Sequence, residues 1–218
     1  MEKLIQKLVL EHGPRKVLSR PEVRVWKLAG LGIAFSVFCL AVVGIRSSPI
    51  SSSVLLYFIG EMLLLGGLLL STLYLVLLSI VPGESLRKAC LWSGGFLLAW
   101  LFYLSLGVIF GVTPDMPLEG RSCLVTIGLI VTLPMVVLTR EARKGISLSP
   151  RSTGYGIGLS AATIAVLGLE AHCEWESALH HIVFHFLPVV LIAMFSLVLS
   201  RYLFTRLKGN PRLGLNSK

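Results

Sequence analysis

Long apolar runs separated by short polar stretches dominate the chain. They fall at Trp26–Ile45, Val54–Ile80, Leu91–Val112, Ser122–Thr139, Ser152–Leu169 and Ile182–Phe204. A helix needs about 20 residues to cross a bilayer, so each run is long enough, the second and sixth with tilt to spare. The runs are continuously apolar rather than alternating, which argues against barrel strands. The pattern predicts an all-α membrane protein, a bundle of six transmembrane helices with both termini on one side. About 25 mostly polar and charged residues precede the first run, and they lack the short apolar core and small-residue cleavage site of a signal peptide. The expected organisation is an arm at 1–25, a transmembrane domain at 26–204 and a basic tail at 205–218.

Composition agrees with this pattern. Of 218 residues, 55% are hydrophobic and 14% charged, against about 25% charged in soluble domains, and the mean hydropathy is +0.83. A disordered chain and a water-soluble globule are both excluded. Six crossings leave no room for a sizeable soluble catalytic domain, so the protein is expected not to be an enzyme. The net charge of +9 invites a nucleic-acid reading until the positions of the charges are considered. With six spans, every Lys and Arg except Arg46 and Arg121 falls on the side of the termini. The positive-inside rule makes that side cytoplasmic. The charge therefore reports topology in an inner membrane, with the lipid bilayer as a partner and no direct nucleic-acid binding.

Small residues and prolines have packing roles. Gly154, Gly158 and Ala161 recur at helical spacing and allow close approach of a neighbour, and Gly66 and Gly67 allow the same in the second run. Pro134 and Pro188 fall within helices and are expected to kink them.

The candidate chemistry lies on the opposite, outer side. Cys39 and Cys90 read as packing residues. Cys123 opens the fourth run, and Cys173 lies between the fifth and sixth. Two thiols at one depth facing an oxidising compartment suit a disulfide, provided their Cα atoms come within about 7 Å. The loop from Glu170 holds His172, Cys173, Glu174, Glu176, His180 and His181, with His185 one turn later and no Lys or Arg. Imidazole, thiolate and carboxylate suit zinc or another thiophilic metal. The candidate ligands are Cys123, His172, Cys173, His181 and His185, of which His181 and His185 share a helix face at i, i+4. The plainer alternative is a solvated acidic loop with interfacial histidines. No CxxC occurs, which argues against a dithiol oxidoreductase. No resident cofactor is required.

Glu61 lies well inside the second run, roughly 10 Å deep at about 1.5 Å per residue. A carboxylate at that depth is costly and should face the bundle interior. By depth its nearest partner is His185, and a structural or signal-coupling role is expected. In the arm, Leu4, Ile5, Leu8 and Val9 form one apolar helical stripe ended by Gly13-Pro14. The stripe suits a membrane surface or a partner's groove.

These pieces together resemble the negative regulator of sigma F (NrsF) family of six-helix inner-membrane anti-sigma factors. The resemblance rests on Leu4-Ile5-x-x-Leu8, Phe58-Ile59-Gly60-Glu61, Val81-Pro82-Gly83 and Arg121-Ser122-Cys123-Leu124. It continues with Pro134, Arg140 to Gly145, Pro150, Gly154-x-x-x-Gly158, His172-Cys173 and His181-x-x-x-His185-x-x-Pro188. It implies a protein that holds an extracytoplasmic-function sigma factor at the membrane until an envelope signal releases it. Cys123 and Cys173 would carry that signal. The competing reading is a small metal or solute transporter using Glu61 and the outer histidines.

Overall fold

A computed structural model describes residues 20–44, 52–81, 85–110, 120–145, 147, 149–170, 172–173 and 177–205. The apolar stripe Leu4, Ile5, Leu8 and Val9 and the tail from 206 lie outside the described residues. Among the described residues every regular element is helical. They are α1 (Pro21–Val43), α2 (Ser52–Leu78), α3 (Arg87–Ile109), α4 (Arg121–Ile130), α5 (Thr132–Ala142), α6 (Pro150–Glu170), α7 (Ala178–His181) and α8 (Leu187–Thr205), with a π-helical turn at Ile182–Phe186 between the last two. Because α4 runs into α5, and α7 through the π turn into α8, six helical segments are long and apolar enough to cross a membrane.

The first segment opens earlier than its apolar run. Pro21 takes the first helical position, where its missing N–H costs nothing. Residues 21–25, expected in the arm, therefore belong to α1. Arg24 among them is buried and pairs with Glu141 at 3.3 Å. Glu141, in the last turn of α5, also meets Lys144.

The bundle is built around α6. In its most apolar 18-residue stretch the fifth segment is 83% buried, against 22–28% in the first, third, fourth and sixth. It contacts α1, α2, α4, α5 and α8, and its small side chains make this possible. A Cβ on Gly158 would lie 2.6 Å from the Ser196 Cβ, and one on Gly154 would meet Ser200 and the Ser196 carbonyl. Close backbone approach replaces large apolar side chains here, and hydroxyls add bonds between helices. Ser160 donates to Thr72 at 2.8 Å, Ser79 and Thr153 pair at 2.7 Å, and Ser36 donates to the Ile164 carbonyl at 3.0 Å. In α2, Gly67 sits against Phe96, whereas Gly66 faces open space. Trp26, Phe38, Leu63, Trp92, Phe102, Leu129 and Phe195 point outward, an apolar exterior of the kind that suits lipid.

Both internal prolines coincide with departures from a regular α-helix. The fourth segment turns at Val131, three residues before Pro134, and the Thr132 hydroxyl donates to the Leu129 carbonyl at 2.7 Å. Upstream of Pro188 the chain widens into the π turn, where Leu187 N–H bonds back five residues to Ile182. Proline removes the i−4 bond, and the wider turn is one way to repair the ladder.

Candidate functional site

Polar side chains from several elements converge at the end of the bundle where α4 begins and α6 finishes. Cys123 is the third residue of α4, Cys173 follows α6 by three residues, His180 and His181 close α7, and His185 sits in the π turn. All five are buried. The Cys123 and Cys173 sulfurs lie 4.0 Å apart as free thiols. The His180 Nε2 lies 3.6 Å from Cys123 Sγ and 3.5 Å from Cys173 Sγ. Taking one ligand atom from each, Cys123, Cys173, His180 and His185 all lie within 4.8 Å of one another.

A second layer continues toward the bundle interior. His185 Nδ1 sits 2.5 Å from Glu170 Oε1, and both residues are buried. His181 Nδ1 lies 2.9 Å from Glu61 Oε2 and 3.6 Å from Glu170 Oε2. The His181 and His185 rings stack with centroids 4.7 Å apart. On the far side of Glu61, the indole N–H of the fully buried Trp100 donates to Oε1 at 2.9 Å. Two carboxylates and two imidazoles thus compensate one another in apolar surroundings, as buried charge requires. Glu170, His181 and His185 form a second triad whose ligand atoms lie within 4.8 Å. Phe184 packs at a tilt against His180 and Phe186 meets Trp100 edge-on, so aromatic rings wall the cluster.

Three expectations are corrected. His181, not His185, is the partner of Glu61. His172 stands apart from the thiols, its Nδ1 2.9 Å from the Gly44 carbonyl. His181 turns toward the two carboxylates rather than the sulfurs. The structure therefore brings Cys123, Cys173, His181, His185 and Glu61 into one connected cluster and leaves His172 outside it.

Two members were missed. Sequence reading placed Glu170 in a solvated loop, but it is the last residue of α6 and 2% exposed. His180 was named in the loop but not among the candidate ligands; residues five apart in a regular α-helix point roughly 140° from each other. The π turn underwinds that stretch, so His180 and His181 both face His185, with ring centroids at 5.3 and 4.7 Å. Pro188 was the available signal: a proline one turn past a histidine run makes a local π insertion a natural repair.

The fold and site define an all-helical protein with six segments long and apolar enough to cross a membrane and a buried thiol–imidazole–carboxylate cluster near one end. The chain belongs to the negative regulator of sigma F (NrsF) family, whose model matches residues 8–205. Its role is accordingly negative regulation of a sigma factor, which is its partner. No curated relative and no solved structure matches the chain.

Proposed function

We propose that this protein is an integral inner-membrane anti-sigma factor. It holds an extracytoplasmic-function sigma factor at the cytoplasmic face and releases it when the outer cysteines receive a metal or redox signal. Both termini lie in the cytoplasm, and the protein acts by binding, without catalysis. The Lys and Arg distribution supports this orientation, and the apolar exterior supports insertion. The arm offers Leu4, Ile5, Leu8 and Val9 as a stripe for a groove on the sigma factor.

The observation that carries the reading is the meeting of Cys123 and Cys173, 50 residues apart in sequence and 4.0 Å apart in space. Joining them ties the start of α4 to the turn between α6 and α7. The segment that begins at α4 ends at Glu141, whose partner Arg24 stands at the root of the arm. A displacement at the thiols thus has a physical route to Arg24 at the start of α1.

The test is capture and release with the full chain in membranes. Replacing Leu4, Leu8 and Val9 with Asp should abolish co-purification of the sigma factor while leaving insertion intact. Undiminished capture would refute the arm as the binding surface. Cys123→Ser with Cys173→Ser should keep capture and lose release by oxidant or thiophilic metal. Normal induction in that double variant would remove the cysteines from the signal path. Zinc uptake into proteoliposomes that Glu61→Gln abolishes would favour transport instead.

A further inference from the structure

The distances around the thiols are specific enough to name a ligand. A tetrahedral zinc with Zn–S of about 2.3 Å and Zn–N of about 2.0 Å sets ligand–ligand edges of roughly 3.3–3.8 Å. The measured edges are 4.0 Å between the sulfurs and 3.6 and 3.5 Å from each sulfur to His180 Nε2. Three donors already stand close to three corners of that tetrahedron. His185 completes the group of four within 4.8 Å. Its Nδ1 is engaged by Glu170 at 2.5 Å, which leaves Nε2, on the other edge of the ring, as its available ligand atom. That nitrogen is buried and makes no hydrogen bond of acceptable geometry.

We propose that Cys123, Cys173, His180 and His185 form a closed four-ligand site for a d10 cation of the zinc class, with Glu170 as the carboxylate that positions His185. The inference rests on the proposed function only for the biological role of the metal; the site is testable by itself. Carboxylate–histidine–metal chains fix the tautomer and orientation of the ligating ring. With Nδ1–H donated to Glu170, the Nε2 lone pair is presented to the cation. On binding, each thiol releases its proton to solvent as its metal–sulfur bond forms, the hydrated cation sheds its waters to the four protein ligands, and no electrons are transferred. Four protein ligands and no open position describe a holding site rather than a catalytic one. His181 belongs to a different set of contacts, since its Nδ1 lies 2.9 Å from Glu61 Oε2. His172 lies outside the site.

Cobalt titration of the reduced, full-length protein in detergent tests the site. Tetrahedral thiolate ligation should give intense visible d–d absorption with sulfur-to-cobalt charge transfer, and zinc should displace both. Cys123→Ser should remove the charge-transfer band or reduce it by half, and His172→Ala should leave the titration unchanged. Glu170→Gln should weaken zinc binding on the order of 10–100-fold while retaining the charge-transfer band. Weak, octahedral-type cobalt spectra from the reduced wild type would overturn the site. Zinc affinity in Glu170→Gln equal to the wild type would overturn the positioning role. Should Glu170→Gln not be recovered from membranes, Glu170→Asp, which draws the carboxylate back by one methylene, carries the same comparison. Co-purification of a sigma factor from the same preparation reads the anti-sigma role separately, so a failed metal site and a failed regulator are distinguishable.

Discussion

The two ends of the bundle solve the same problem with different chemistry. Near α4's first turn, Glu61, Glu170, His181 and His185 share a buried network beside two thiols. Near α5's last turn, Arg24 reaches Glu141, which keeps 22% side-chain exposure and also meets Lys144. Arginine stays charged under any condition a cell meets, so the second arrangement has one state. Imidazoles, carboxylates and thiols change their protons and ligands readily, so the first has several. On the function proposed above, one end holds and the other responds, and the α4–α5 segment joins them.

Breaking the responsive end should cost most. His181→Leu leaves Glu61 and Glu170 without the imidazole between them. A buried charge stripped of its partner typically costs about 3–5 kcal/mol. A loss of that order is expected in denaturant-monitored unfolding of the micelle-embedded protein, and a cost below about 1 kcal/mol would mean that the carboxylates are compensated by other groups. At the holding end Glu141→Gln should cost less, about 1–3 kcal/mol, because the pair is partly solvated and falls between exposed and buried cases. A double-mutant cycle with Arg24→Gln isolates their coupling. Glu61→Gln should cost least, about 1 kcal/mol, since the amide oxygen still accepts from Trp100 at the Oε1 position and the amide NH2 at the other position donates to a neutral His181 Nδ1. A loss as large as that of His181→Leu would show that the charge on Glu61, rather than its hydrogen bonds, holds the network.

The six spans were legible because uninterrupted apolar runs admit few other structures. Their ends were less so: Glu22 to Val25 read as polar arm, and only the partner on α5 makes Arg24 part of a helix that packs. In the site, Cys123, Cys173, His181, His185 and Glu61 stood out by residue type. Their pairing did not, because depth along separate helices leaves rotation undetermined, and rotation chose His181 over His185 for Glu61. Glu170 was hidden by its acidic neighbours Glu174 and Glu176, and only its burial at the end of α6 separates it from them. His180 joins the cluster through the π turn, a local departure that residue type alone does not announce.

The grip on α6 has a mechanical consequence. Gly154 and Gly158 bring it against α8, hydroxyls fasten it to α1 and α2, and little clearance remains on any side. Such a helix works as an axle. Any relative movement within the molecule would have to be taken up by the outer spans, with Glu170, carried at the axle's tip, as the fixed reference for Cys123 and the histidines.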